Sequence, residues 1–113
     1  VSAIETVPTV HGVVLLRPGR RLNMVSAPQL TAVVSGLVAE GRSRVVVDLS
    51  ETEFVDSSGL GALVSCLKKL RQAGGDLKLS GALEQVTMVL DLTNLSRVLR
   101  PRPTVADAVA DFG

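Results

Sequence analysis

Val45-Val46-Val47-Asp48-Leu49-Ser50, followed six residues later by Asp56-Ser57-Ser58-Gly59-Leu60-Gly61, decides the reading of this 113-residue chain. The valine run does not alternate with polar residues. A strand of that kind is covered on both faces, as in a sheet with helices on each side. Downstream, Leu60, Leu63, Val64, Leu67 and Leu70 recur on one helical stripe, with Lys68, Lys69, Arg71 and Gln72 off it. Between strand and helix stands a polar turn with two adjacent hydroxyls where the helix begins.

Working outward towards the N-terminus, Leu30, Val33, Val34, Leu37 and Val38 form an earlier stripe at the same spacing. Ser26 is its natural N-cap, Pro28 sits in its first turn and Gly41 is a fitting terminator. Before it, Arg17-Pro18-Gly19-Arg20-Arg21 reads as a loop. Ala3–Val7 and Val13–Leu16 read as two strands, with Pro8 and His11-Gly12 in the turn between them. The chain begins at Val1 rather than Met, as a trimmed start would.

Towards the C-terminus, Gly74-Gly75 ends the second helix and Leu77-Lys78-Leu79-Ser80 alternates like a half-exposed strand. Val86, Val89 and Leu90 mark a short helix, with Asn94 a turn residue after it. Val98-Leu99 is expected as a short edge strand. Thr104 caps a last helix whose Val105, Ala108, Val109 and Phe112 face the core, with Asp107 placed as in a capping box. The order β-β-α-β-α-β-α-β-α implies one α/β domain over residues 1–113. Its sheet should be mixed, mainly parallel, of about four to five strands, with covering helices.

Composition narrows the function. Residues 46% hydrophobic supply a real core, but Phe54 and Phe112 are the only aromatics, so platforms for stacking nucleic-acid bases are missing. A formal charge of +1 gives no footprint for nucleic acid or an anionic membrane. No stretch approaches the roughly 20 apolar residues of a membrane span. Cys66 alone cannot form an internal disulfide, which favours a cytoplasmic setting. At its position in the second helix it reads as a small buried apolar residue.

The turn at 56–61 carries the chemistry. Ser57 or Ser58 is expected at the N-cap, where a hydroxyl accepts a hydrogen bond from a first-turn amide. One cap needs one side chain, so the second hydroxyl is spare. Each glycine inside a helix costs about 1 kcal/mol against alanine, and Gly59 and Gly61 read as bare backbone left clear for an approaching protein. A phosphate on Ser57 would bring about −1.5 to −2 charges. The helix N-terminus would favour it by up to ~2 kcal/mol. Repulsion from Asp56, at ~6 Å and an effective dielectric near 40, comes to roughly 2–3 kcal/mol. These nearly cancel, so a phosphate there would act on a docked partner rather than on the fold.

Enzyme readings have less to stand on. There is no G-x-S-x-G elbow and no phosphate-cradling Gly-Lys-Ser/Thr motif. One His and one Cys do not make a typical zinc site, and no acidic pair accompanies Asp48 to hold Mg²⁺. No catalytic residue, metal or cofactor is expected.

The strand ending in Asp48-Leu49-Ser50, the run Phe54-Val55-Asp56-Ser57-Ser58-Gly59-Leu60-Gly61, Gly74-Gly75, and Val89-Leu90-Asp91-Leu92-Thr93-Asn94-Leu95 together resemble a STAS domain of the bacterial anti-sigma factor antagonist type. The resemblance runs from about Val13 to Phe112. It implies a non-enzymatic partner switch in transcription control. The unphosphorylated antagonist binds an anti-sigma factor that is also an ATP-dependent serine kinase, and so frees the sigma factor. The kinase phosphorylates the first hydroxyl after the Asp, here Ser57, and the phosphorylated form lets go. A PP2C-type phosphatase resets the system. Asp56, Ser58, Gly59, Leu60 and Gly61 would belong to the docking surface, with the loop around Asn23 beside it. Neither nucleic acid nor membrane is an implied direct partner. Where the family often has Gly-x-Leu-Asp, this chain has Gly19-Arg20-Arg21-Leu22-Asn23, one residue longer and without the charge. A STAS subunit of a stress-signalling scaffold or a lipid-transport complex is the alternative the same resemblance allows. A nucleotide or small-ligand sensor is a third.

Overall fold

The computed structural model describes residues 4–8 and 10–112. Its main sheet has four strands: β1 (Glu5–Pro8), β2 (Val14–Arg17), β4 (Arg44–Asp48) and β6 (Asp76–Ser80), in the order β1-β2-β4-β6. β1 and β2 are an antiparallel hairpin; β2–β4 and β4–β6 are parallel. The hairpin turns at His11 and Gly12, whose φ angles of 62° and 73° are left-handed. Pro8, expected in the turn, instead ends β1 opposite Val14. β1 is an edge strand, where a residue without an amide hydrogen is tolerated. Ala3, expected to open this strand, lies outside the described residues.

Helix α1 (Ala27–Ala39) joins β2 to β4, and α2 (Ser57–Gln72) joins β4 to β6. The two pack side by side over one face of the sheet, on Val14, Leu16, Val45, Val47, Leu77 and Leu79. Helix α5 (Val105–Ala110) covers the other face through Ala108 against Val13, Leu15 and Val46. Val45, Val46 and Val47 are therefore all fully buried. The unbroken valine run follows from cover on both sides.

Each crossover helix stops at a glycine. Gly41 and Gly74 take left-handed φ, and the following amides of Arg42 and Gly75 donate back to the carbonyls of Leu37 and Leu70 at 2.8 and 2.9 Å. That backbone bond closes the last turn. Asn94 does the same after α3 (Glu84–Leu92), with φ 60° and Leu95 donating to the Leu90 carbonyl at 2.9 Å. Thr104 caps α5 as expected, its Oγ1 accepting the Asp107 amide at 3.1 Å.

Two elements differ from the sequence reading. Val98-Leu99 belongs to a short helix, α4 (Ser96–Leu99), not to a strand. Its Leu99 is buried in the α1–α2 side of the core, which a helical turn after Asn94 achieves. Edge pairing comes three residues later, where Arg102 bridges Ser80 in parallel. The segment after Arg17 is not wholly loop. Arg21–Leu22 (β3) pairs in parallel with Phe54–Val55 (β5), a two-stranded ribbon beyond the ends of the main strands. Two residues per strand are too few for a periodicity to register.

At its C-terminal end the α5 face of the sheet carries polar residues in consecutive strands. Glu5 lies opposite Arg17, Asp48 opposite Ser80, and Ser80 opposite Arg102. Arg17 Nε donates to Asp48 Oδ2 at 3.1 Å and its Nη1 reaches Glu5 at 3.3 Å. Arg102 pairs with Asp111 just past α5 at 3.2 Å. Asp48 is buried, so this ion pair, with the Ser50 amide donating to Oδ1 at 3.0 Å, is what makes its charge tolerable there.

Candidate phosphoacceptor site

The chain leaves β4 through Leu49, which is buried and acts as an anchor. Thr52, also buried, donates its hydroxyl to the Gly19 carbonyl at 2.7 Å. Arg20 Nε donates to Glu53 Oε2 at 2.7 Å across the same gap, and this guanidinium holds the Glu53 carboxyl below its usual range. The strand β5 is thus fastened to β3 before α2 starts. The Asp56 amide then donates to the Leu22 carbonyl at 3.2 Å, which fixes where the helix begins.

Asp56 is the N-cap. Its backbone is extended (φ −97°, ψ −174°), and its Oδ1 accepts the Gly59 amide at 2.9 Å. Neither serine has that role, contrary to the expectation that Ser57 or Ser58 caps the helix. A carboxylate is the stronger acceptor at a positive helix end, and it stands one residue earlier. Ser57 and Ser58 are the first two helical residues. Both are exposed, and neither side chain makes a hydrogen bond among the described residues. Their amides have no carbonyl four residues earlier in the helix to donate to. Two hydroxyls and two donor amides therefore share one exposed helix end.

The two glycines have different duties. Gly59 is buried, and a Cβ on it would collide with the carbonyl oxygen of Leu22. It is required by the close approach of β3 to α2, and is not bare surface for a partner. Gly61 is exposed, and a Cβ added there would meet nothing within 4 Å, so it matches the expectation of clear surface. Leu60 is half-buried and packs partly on the core.

Asn23 follows Leu22 and so adjoins the start of α2. Its Oδ1 accepts the amides of Val25 at 3.0 Å and Ser26 at 3.2 Å. Ser26 Oγ accepts the Asn23 amide at 3.0 Å and donates to the Arg21 carbonyl at 2.8 Å. Ser26 precedes α1 as expected, but its hydroxyl ties this loop together and makes no side-chain capping bond to the helix. The asparagine oxygen performs backbone bonding that needs no charge. Beside it, Met24 and Val25 are 71% and 69% exposed. Sequence reading passes over this pair, because nothing in Met-Val itself distinguishes an exposed loop from a buried one.

Among the described residues no group of three His, Cys, Asp or Glu side chains gathers to hold a metal ion. Cys66 is 1% exposed, and burial pushes its thiol up to about 11. No helix is long and apolar enough to cross a membrane among the described residues.

Residues 5–108 match the family model for the STAS domain. The chain belongs to the STAS family. A relative from Thermotoga maritima, named "Putative anti-sigma factor antagonist", is 33% identical over 103 residues, covering 90% of this chain and 91% of its own. A crystal structure of a protein so described, also from Thermotoga maritima, superposes with a TM-score of 0.88 over 96% of this STAS domain and 93% of that chain, at 31% identity. An anti-sigma-B factor antagonist from Staphylococcus epidermidis is 31% identical over 84 residues, 74% of this chain and 78% of its own. The phosphorylated form of the Bacillus cell fate determinant SpoIIAA shares the fold alone, with a TM-score of 0.75 over 96% of this chain and 98% of that one at 19% identity.

Proposed function

We propose that this STAS domain is an anti-sigma factor antagonist switched at Ser57. Unphosphorylated, it binds an anti-sigma factor that is also a serine kinase and so releases the sigma factor. Phosphorylation of Ser57 by that kinase ends the binding, and a PP2C-type phosphatase restores it. The chain itself acts by binding, not by catalysis, in the cytoplasm where its partners work.

The observation that carries this reading is the division of labour at the start of α2. Asp56 caps the helix, so the exposed Ser57 hydroxyl is free of any structural bond that a kinase would have to break. The names of the relatives support the antagonist role in this reading. Asp56, Ser58, Leu60, Gly61 and Asn23 surround the acceptor and form the docking surface, with Gly59 holding the surface in place from beneath. A dianion added at Ser57 would rest beside the free amides of the helix end, so the domain stays folded. A partner seated over it would have to bury the charge unpaired, which costs several kcal/mol. Each 1.4 kcal/mol is a tenfold loss of affinity.

The test is phosphorylation by a purified anti-sigma serine kinase from the same organism with ATP, followed by peptide mass spectrometry. Phosphate is expected on Ser57 and absent from Ser57→Ala. Ser57→Asp should bind the kinase at least tenfold more weakly. Full modification of Ser57→Ala would remove the site assignment.

A further inference from the structure

The geometry points to a second binding site on this chain, a cavity between α3, α4 and the loop at 101–103 that takes a small zwitterion of the α-amino acid class. The cavity holds about 440 Å³, with Thr87, Asp91, Ser96 and Arg102 as its polar lining and Ala82, Pro101 and Pro103 as its apolar wall. That volume falls among small-ligand sites, roughly 300–1,000 Å³. It adjoins the C-terminal end of β6, through Gly81, and open α/β sheets hold ligands outside the C-terminal ends of their strands. Its lining residues all come after β6, so the site is separate from the turn at 56–61 and does not rest on the reading of Ser57.

Asp91 carries the case for a cationic group. It lies in the last turn of α3, next to the final residue Leu92, where the carbonyl end of the helix already gathers negative charge. A basic side chain suits that place, and the last turn of α3 has none. Among the described residues the Asp91 carboxylate makes no ion pair or hydrogen bond, and the hydroxyls of Thr87 and Ser96 make no hydrogen bond. Thr87 stands one helical turn before Asp91, so the two share a face. An ammonium group seated there meets a carboxylate, a hydroxyl oxygen and the negative helix end together.

Arg102 supplies the opposite charge. Its amide donates to the Leu79 carbonyl and its own carbonyl accepts the Gly81 amide, both at 2.9 Å, which ties the loop to β6. Pro101 and Pro103 restrict the backbone on either side. The Arg102 Nε donates to Asp111 at 3.2 Å, which uses one donor of the guanidinium and leaves the others for a ligand carboxylate. Asp91 and Arg102 thus line one cavity without pairing to each other. Opposite charges held apart on a braced frame suit a ligand that carries both charges on one short skeleton. An α-amino acid does so, and its side chain meets the wall of Ala82, Pro101 and Pro103. The braced loop lowers the ordering cost of binding. A simple anion leaves Asp91 unanswered, and a nucleotide phosphate is repelled by it.

The experiment records amide NMR spectra of the isotope-labelled chain while the common L-α-amino acids are added one at a time. At least one should shift the amides of Thr87, Asp91, Ser96 and Arg102 with a Kd of about 0.1–1 mM, a modest value because the cavity is open. Asp91→Asn breaks no bond within the chain, so it should leave the unfolding temperature unchanged and weaken that amino acid about tenfold or more. Arg102→Gln should weaken it to a similar degree. The N-acetylated amino acid, without its ammonium, and the amino acid amide, without its carboxylate, should each bind about tenfold more weakly. Ser57→Asp should bind as wild type does. No shift at these amides with any amino acid at about 10 mM overturns the site. Equal binding by the N-acetylated form, or by Asp91→Asn, makes this an anion site only and overturns the zwitterion assignment, as do shifts at these amides produced by ATP and by no amino acid.

Discussion

The Asp56 carboxylate accepts the Gly59 amide at 2.9 Å, and this one bond frees both neighbouring serines from structural duty. It also makes Asp56 the residue on which the start of α2 depends. Asp56→Ala should cost about 1 kcal/mol, the usual loss for a removed cap. For a domain of this size that lowers Tm by roughly 4–5 °C. Asp56→Asn keeps an acceptor and should cost less than half as much. Ser57→Ala and Ser58→Ala should each stay within about 0.5 kcal/mol of wild type. Urea unfolding of the four variants checks the ranking; a large loss on Ser57→Ala would mean that the serine, not the aspartate, bears the cap.

The glycines of the same turn should respond in opposite directions. An alanine Cβ at position 59 meets the Leu22 carbonyl oxygen, a backbone atom that yields only if β3 shifts. Gly59→Ala should therefore destabilise by about 1–3 kcal/mol, as overpacking does. Gly61→Ala meets nothing within 4 Å. It should stabilise α2 by up to about 1 kcal/mol through helix propensity alone. Thermal unfolding of the pair reads both signs, and equal behaviour at the two positions would contradict the packing of β3 on α2.

Arg17 and Asp48 join neighbouring parallel strands at 3.1 Å, with Asp48 buried and Arg17 about one-third exposed at its side chain (37%). Removing the cation alone leaves a buried carboxylate with only the Ser50 amide. Arg17→Met should destabilise the fold, by less than the loss of one partner from a fully buried pair because water reaches the guanidinium. Arg17→Met combined with Asp48→Leu should recover much of that loss. A double-mutant cycle by urea denaturation gives the coupling, expected to be favourable. Independent, additive losses would mean that the pair is only a surface contact.

The core of this fold was legible because its signals are long or repeated. Thirteen residues of α1 and sixteen of α2 give the 3.6-residue stripe room to show, and the valines of β4 announce cover on both faces by failing to alternate. The site was legible as a place but not as a mechanism. Sequence put two hydroxyls at a helix start, but the choice of cap depends on where the helix begins. That point is set by Leu22, 34 positions before Asp56, through a backbone bond. For the same reason Gly59 looked like open surface. Its constraint is a carbonyl from a two-residue strand, and so short a strand has no pattern. Val98-Leu99 misled because an apolar pair opened by a β-branched valine between turn signals fits an edge strand locally, whereas Leu99 is claimed by the core through a helical turn.

Cys66 provides a pH signature that belongs to the folded state alone. Its side chain lies in the α1–α2 core at 1% exposure, and burial raises the thiol from an ordinary value near 9 to about 11. A buried thiolate is disfavoured, so the folded chain holds this proton more tightly than the unfolded chain does. The resulting stability is fully present below pH ~9 and is lost as pH rises from ~9 through ~11, by at most about 2–3 kcal/mol. Cys66→Ala removes the titrating group and should flatten this part of the profile, whatever the small packing loss at neutral pH. Urea midpoints of wild type and Cys66→Ala, taken between pH 8 and 11, should converge as the pH rises. With a thiol near 11, roughly one molecule in a thousand carries a thiolate at pH 8, so native-state labelling by a disulfide reagent should be slow and accelerate sharply in denaturant. Rapid native labelling at pH 8 would place the sulfur at the surface and contradict the packing of α2 on α1.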